Sequence, residues 1–228
     1  MGMFREAAAH FIDRRDAGQR LAAELKAQSI SDPVVLALPR GGVPVGFEIA
    51  AALDAPLDVL LVRKLGAPGY EEFGIGAVVD GAQPQIVLNP EAIQLLQVTA
   101  AYVAQERDRQ LVEIERRRRL YCGDAKPAEI EGRTAIVVDD GIATGGTVEV
   151  ALRALHNAAP KRTILAVPVA PAEVLTRLSS QADQVLCLAA PPDFRAVGMH
   201  YADFTQTSDE EVIELLGRRR EALAAQRQ

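Results

Sequence analysis

The segment VVDDGIATGGT, residues 137–147, carries the densest chemistry in the chain. Gly141, Gly145 and Gly146, with Ala143, Thr144 and Thr147, form a small-residue stretch that leads into a predicted helix. Backbone N–H groups in such a stretch converge on a phosphate, helped by the helix dipole and by threonine hydroxyls. It is not a Walker loop, because Thr147 stands where that motif needs lysine, and its glycine spacing is not that of a dinucleotide fingerprint. Asp139 and Asp140 would repel a phosphate unless they face another part of the ligand. Carboxylates accept hydrogen bonds from vicinal hydroxyls, so a ribose 5-phosphate suits both halves of the segment. An ordinary strand-to-helix turn with an Asp cap would explain a lone Asp-Gly. It would not explain apolar strand, acid pair and TGGT together.

Two further segments add positive charge. In PRGG, residues 39–42, Gly41 and Gly42 let backbone amides approach an anion and Arg40 supplies a delocalised cation, although a Pro-Gly turn alone would account for it. Arg63 and Lys64 follow the apolar run 57–62, either as a solvated strand end or as a cationic wall facing the same cleft as Arg40. Residues 65–74, LGAPGYEEFG, contain three glycines and a proline, which predicts a mobile lid. Tyr70, Glu71 and Glu72 would then close over a ligand, or simply be exposed loop charge. The run Arg116 to Arg119 is expected at a helix end, where cations complement the dipole. His10, His156 and His200 have no ligand spacing, and Cys122 and Cys187 form no CxxC, so neither a protein-bound metal nor a disulfide is expected.

These segments need elements to hold them. Apolar runs at 34–38, 57–62, 134–138, 163–167 and 184–188 read as short buried strands. Between them lie helical patterns at 43–53, 147–158 and 172–180. That alternation predicts an α/β fold: a parallel sheet flanked by helices on both faces, with ligands beyond the carboxyl ends of the strands. A helix is expected within 4–27, a hairpin or bent strand pair around Asp80-Gly81, and a long helix from Asn89-Pro90 to about Tyr121. Ser208 is expected to cap a last helix.

The composition bounds the function. The 228 residues are 49% apolar and 25% charged, which excludes intrinsic disorder. Twenty-five basic against 31 acidic residues, spread evenly along the chain, argue against duplex nucleic acid as a partner. Aromatic residues make up 4%, too few for a base-stacking surface. The apolar runs are too short to span a bilayer, and the N-terminus has an acid where a secretory signal would be apolar. A cytoplasmic protein is expected.

The signature at 137–147 resembles the phosphoribosyl-pyrophosphate motif of type I phosphoribosyltransferases, and the likeness extends over about residues 30–190. By that resemblance the chain forms one domain, 1–228, with its core at about 30–190 and hood elements at about 65–120 and 191–228. Asp139 and Asp140 would hold the ribose 2- and 3-hydroxyls, and residues 143–147 would wrap the 5-phosphate. Arg40, Gly41, Gly42, Arg63 and Lys64 would face the pyrophosphate. The tail PPDFRAVGMHYADF, residues 191–204, is similar to the hood of purine-salvage members, so Phe194 would stack on a base with Val197 beside it. Packing of Phe194 and Tyr201 against the last helix is the alternative.

The implied reaction displaces pyrophosphate at ribose C1 by a nitrogen of a purine-like base. Magnesium would arrive as a cofactor on the pyrophosphate, and a homodimer is compatible with the family. One departure stands out. Members that act on 6-oxopurines carry an acid where this chain has Ala143, which leaves the acceptor base open. A non-catalytic sensor of phosphoribosyl pyrophosphate is the competing class. A nucleotide hydrolase of other descent lacks a nucleophile or metal cluster in the sequence.

Overall fold

The computed structural model describes residues 10–81 and 84–226. Its centre is a five-stranded sheet made of β1 (Pro33–Ala37), β2 (Leu57–Val59), β6 (Thr134–Val138), β7 (Arg162–Val169) and β8 (Gln184–Ala189). The order across the sheet is β2-β1-β6-β7-β8, and every pairing is parallel. Alternate residues of one strand face opposite sides, so each apolar run feeds two cores. Val35, Ala37, Ile136, Val138, Ile164 and Ala166 pack on one side, against α1 (Arg14–Lys26), α2 (Gly42–Ala52), α4 (Ala100–Cys122) and α7 (Asp209–Gln226). Val34, Leu36, Val137, Leu165 and Val167 pack on the other, against α5 (Gly146–His156) and α6 (Ala172–Leu178).

The chain leaves β1 for one edge of the sheet and, much later, leaves β6 for the other. The crossovers therefore diverge between β1 and β6, which opens a crevice at their carboxyl ends. The loops after these two strands are 39–42 and 139–147. A third apolar cluster caps the same end of the sheet. Phe11, Ala17, Val169, Ala189 and Tyr201 form it, with Phe194, Val197 and Phe204 among the residues against them.

The region between β2 and β6 departs from the sequence reading in three ways. The apolar run 57–62 is not one strand: β2 ends at Val59, and β3 (Val62–Ala67) belongs to a separate antiparallel sheet of order β3-β4-β5. Arg63 and Lys64 are therefore inside a strand, not in a loop that follows one. The expected lid at 65–74 is likewise mostly strand. β4 (Tyr70–Val79) folds back on β3 through a tight turn at Pro68-Gly69, and the pairing shifts register near Leu65, Gly66 and Ala67. Antiparallel pairing recruits the backbone polar groups that a free loop would leave to water. The side chains of Glu71 and Glu72 lie outside what the structure describes.

The expected strand pair around Asp80-Gly81 is present as β4 and β5 (Gln85–Leu88). The expected long helix is broken in two. Asn89 caps α3 (Pro90–Leu95), accepting from the Ala92 N–H at 3.1 Å, and Thr99 caps α4, accepting from the Tyr102 N–H at 3.2 Å. Gln97 between them takes a left-handed φ of 50°, which no continuous helix allows. Of the helix expected within 4–27, residues 4–9 lie outside the described residues, and α1 starts at Arg14, after Phe11 has paired with Tyr201 of the tail. Ser208 caps α7 through the Glu211 N–H at 3.1 Å.

Candidate functional site

The two loops at the crevice touch. The Leu38 N–H donates to the Val138 carbonyl at 2.9 Å, carrying the β1–β6 ladder past the strand ends. A Cβ on Gly42 would lie 2.7 Å from the Val138 oxygen, and one on Gly41 would lie 1.9 Å from Asp140 Oδ2. Gly41 and Gly42 thus permit close approach rather than an unusual φ: at −58°, the backbone of Gly41 would suit any residue. The Pro39–Arg40 peptide is cis. Arg40 is partly exposed, with its guanidinium 3.7 Å from Asp209 at the start of α7.

Across this contact lies the acid pair. Asp139 accepts from the Asp140 N–H at 2.9 Å. Burial pushes the Asp139 carboxyl well above the usual carboxylate range, and the neighbouring Asp140 charge adds to the shift. Burial also raises Asp140, where Arg14 opposes the shift: Arg14 Nε donates to Asp140 Oδ2 at 2.7 Å. Two carboxyls held this close, with one cation, are suited to hydroxyl partners that can donate to one and share a proton with the other.

The small-residue segment then turns into α5. Gly145 has φ +80°, and a Cβ there would also meet Val174 Cγ1 at 2.8 Å, so this position requires glycine on both counts. The Thr144 carbonyl is held by the Arg177 guanidinium, which also lies 3.6 Å from Glu149. Ala143, Thr144, Gly146 and Thr147 are exposed around the start of α5, where N–H groups without helical partners point outward.

Residues 13–203 match the family model described as the phosphoribosyl transferase domain. The chain belongs to the phosphoribosyl transferase family. A curated Mycobacterium tuberculosis protein, recorded in strains CDC 1551 and H37Rv and named provisionally as a phosphoribosyl transferase, is 44% identical over 209 residues. That match takes in 91% of this chain and 46% of the relative, so the chain spans about half the length of the curated relatives it matches. The solved structure of TT1426 from Thermus thermophilus is 43% identical, with a TM-score of 0.77 over 91% of this chain and 97% of that one.

In this phosphoribosyl transferase-family chain, the structure brings together Arg40, Gly41, Gly42, Asp139, Asp140 and residues 143–147. It directs Arg63 elsewhere: Arg63 Nε donates to Gln110 Oε1 on α4 at 3.0 Å, within the smaller sheet. Lys64, its neighbour in β3, is exposed and lies against Gly74 of β4. Val197 reaches the acid loop, since a Cβ on Gly141 would lie 2.4 Å from its Cγ1. Phe194 is half-buried and stacked on His200, with ring centroids 5.5 Å apart and planes 12° from parallel. It packs with the tail cluster rather than against α7.

Sequence reasoning missed two site residues. Arg14 pairs with Asp140, and the Tyr201 hydroxyl donates to the Asp140 carbonyl at 2.5 Å. Arg14 lies outside every motif, and Tyr201, within the 191–204 tail, was expected only to pack the last helix. Arg118 was also missed as anything beyond a helix-end cation: largely buried, it joins Asp58 and Asp80, each at 2.7 Å.

Proposed function

We propose that this protein binds phosphoribosyl pyrophosphate as its magnesium salt and transfers the phosphoribosyl group to a nitrogen of a purine-like base, releasing pyrophosphate. The observation that supports this most is the packing of Gly41 directly against the Asp140 carboxylate at the β1–β6 crevice. It brings the 39–42 turn, the acid pair and the N-terminus of α5 together, which supports reading them as one ligand site. The 5-phosphate would take the exposed amides and hydroxyls of residues 143–147, and the ribose hydroxyls would take Asp139 and Asp140. Pyrophosphate would face the 39–42 turn, with Arg40 supplying charge and Lys64, exposed in β3, as a second candidate cation.

In the transfer, the acceptor nitrogen forms its bond to C1 as the C1–O bond to pyrophosphate breaks, and the bond electrons leave with pyrophosphate. The protein's work is positioning and electrostatic stabilisation of the departing charge. Val197 borders the acid loop and Phe194 lies a few residues before it, which favours the acceptor side at the 191–204 tail. Ala143 offers no carboxylate there, so proton removal from the base falls to solvent or another group.

The test is calorimetry with magnesium phosphoribosyl pyrophosphate, followed by pyrophosphate release against a panel of nucleobases. Changing Asp139 and Asp140 together to Asn should weaken binding. Each charge-assisted bond lost is worth about 1.5–3 kcal/mol. Binding without turnover on any base would instead make the protein a sensor of the same ligand.

A further inference from the structure

The N-terminal end of α1 places one planar cation at the junction of the two ligand loops and the tail. Asp13 caps this helix, accepting from the Asp16 N–H at 2.8 Å, which fixes Arg14 as its first residue. The helix itself is immobilised. Leu21 and Leu25 are fully buried, and Gly18 packs so tightly on α2 that a Cβ would come within 2.8 Å of the Val45 carbonyl oxygen. From that base the Arg14 guanidinium makes three contacts. Nε donates to Asp140 Oδ2 at 2.7 Å, a terminal nitrogen donates to the Thr205 carbonyl at 2.7 Å, and the group lies 4.0 Å above the Phe204 ring. It also borders the 39–42 turn, because a Cβ on Gly41 would be 3.2 Å from Nε.

We propose that Arg14 is the positioning residue of the ribose subsite, holding Asp140 in the orientation that receives a sugar hydroxyl and tying that orientation to the 201–205 tail. The proposal rests on the phosphoribosyl pyrophosphate reading. Arg14 engages Oδ2, the oxygen on the Gly41 side, which leaves Oδ1 as the oxygen a sugar hydroxyl would meet. The backbone of Asp140 is fixed from the same tail, since the Tyr201 hydroxyl donates to its carbonyl. Lysine cannot reproduce this arrangement, because a point charge lacks the fork that bonds Asp140 and Thr205 together and the flat face that lies on Phe204.

The experiment uses the full chain and two probes, ribose 5-phosphate and magnesium phosphoribosyl pyrophosphate, with calorimetry, thermal melting and steady-state kinetics on an acceptor found by the base panel. Arg14→Ala should weaken binding of both probes at least tenfold and raise KM for phosphoribosyl pyrophosphate, while kcat falls much less. Arg14→Lys should recover part of the affinity. Arg14→Ala combined with Asp140→Asn should bind no more weakly than Asp140→Asn alone, because the arginine acts through that carboxylate. Additive losses in the double variant, or Arg14 variants that melt lower yet bind both probes as tightly as the parent, would overturn the proposal and leave Arg14 a structural strut. If Arg14→Ala does not fold, the comparison of Arg14→Lys with the parent decides in the same way. A parent protein that binds neither probe would overturn the phosphoribosyl pyrophosphate reading itself, and this proposal with it.

Discussion

A single methyl group at position 41 tests whether the two loops form one site. The backbone of Gly41 has φ −58° and ψ −31°, so Ala is conformationally acceptable there and any effect must be steric. The added Cβ would sit 1.9 Å from Asp140 Oδ2 and 2.5 Å from Asp140 Cγ, distances at which the carboxylate has to move. Moving it disrupts the 2.7 Å bond from Arg14, a charge-assisted contact worth about 1.5–3 kcal/mol. Gly41→Ala should therefore lower the melting temperature and weaken phosphoribosyl pyrophosphate binding by about 10- to 100-fold, at about 1.4 kcal/mol per factor of ten. Gly146→Ala is the control for stability. It lies at the first residue of α5, and a Cβ there would meet nothing within 4 Å, so it should melt no lower than the parent. Calorimetry and a thermal melt on both variants suffice. Parent-like affinity and melting in Gly41→Ala would refute the claim that the turn is built around Asp140.

Three further outcomes are expected. Arg118→Met should strand Asp58 and Asp80 without their shared cation and lower stability by about 3–5 kcal/mol in urea titration, whereas a loss below about 1 kcal/mol would show the triad to be dispensable. Asp80 should make stability pH-dependent. Burial pushes its carboxyl up to about 6, against Arg118, so its contribution is fully present below the ordinary 3.8 and is lost as pH rises to and through about 6. The stability of Asp80→Asn relative to the parent should then improve between about pH 4 and pH 6, by on the order of 1.4 kcal/mol per pH unit over the titrating range, and parallel pH curves would contradict this. Finally, Phe194→Ala should raise KM for the acceptor while sparing KM for phosphoribosyl pyrophosphate. A change confined to the melting temperature would restrict Phe194 to its packing on His200.

The parts of the fold that were legible are those whose signal is local. Residues 134–138 read as a strand to the residue, because a parallel strand buried on both faces must be apolar throughout. The turns after β1 and β6 were legible for the opposite reason: glycines and charges abruptly replace the apolar run. The division of 57–67 between two sheets was not. Its backbone stays extended and mostly apolar across the change, and periodicity carries no label for sheet membership. The glycines of 65–74 pointed to a loop, but Gly66 and Gly74 pair across β3 and β4, and a Cβ on Gly74 would come 3.2 Å from Lys64 Cδ. The break between α3 and α4 was missed, although Thr99, a good cap in mid-segment, was the signal that could have found it. The Arg14–Asp140 pair spans 126 positions and depends on how α1 is docked, so nothing near either residue announces it.

The attachment of the smaller sheet has a mechanical consequence. Where the chain enters and leaves that sheet, the Leu61 N–H donates to Asp80 Oδ1 at 2.7 Å and the Asp80 N–H donates to the Leu61 carbonyl at 2.9 Å. Arg118 fastens this junction to Asp58 of β2. At the opposite end Gly69 has nothing within 4 Å of a would-be side chain, and Tyr70 is 73% exposed. The hairpin is held along most of its length, with Leu65, Ala67 and Ile75 buried and the Tyr102 hydroxyl donating to the Gly66 carbonyl at 3.1 Å, and only its tip at 68–70 is unloaded. Its deflection under thermal force grows toward Pro68-Gly69, so amide protons near Leu61 and Asp80 should exchange with solvent far more slowly than those at the turn. Residues added at the tip would lengthen the arm without straining the clamp, which makes that turn the place where this fold can acquire new reach.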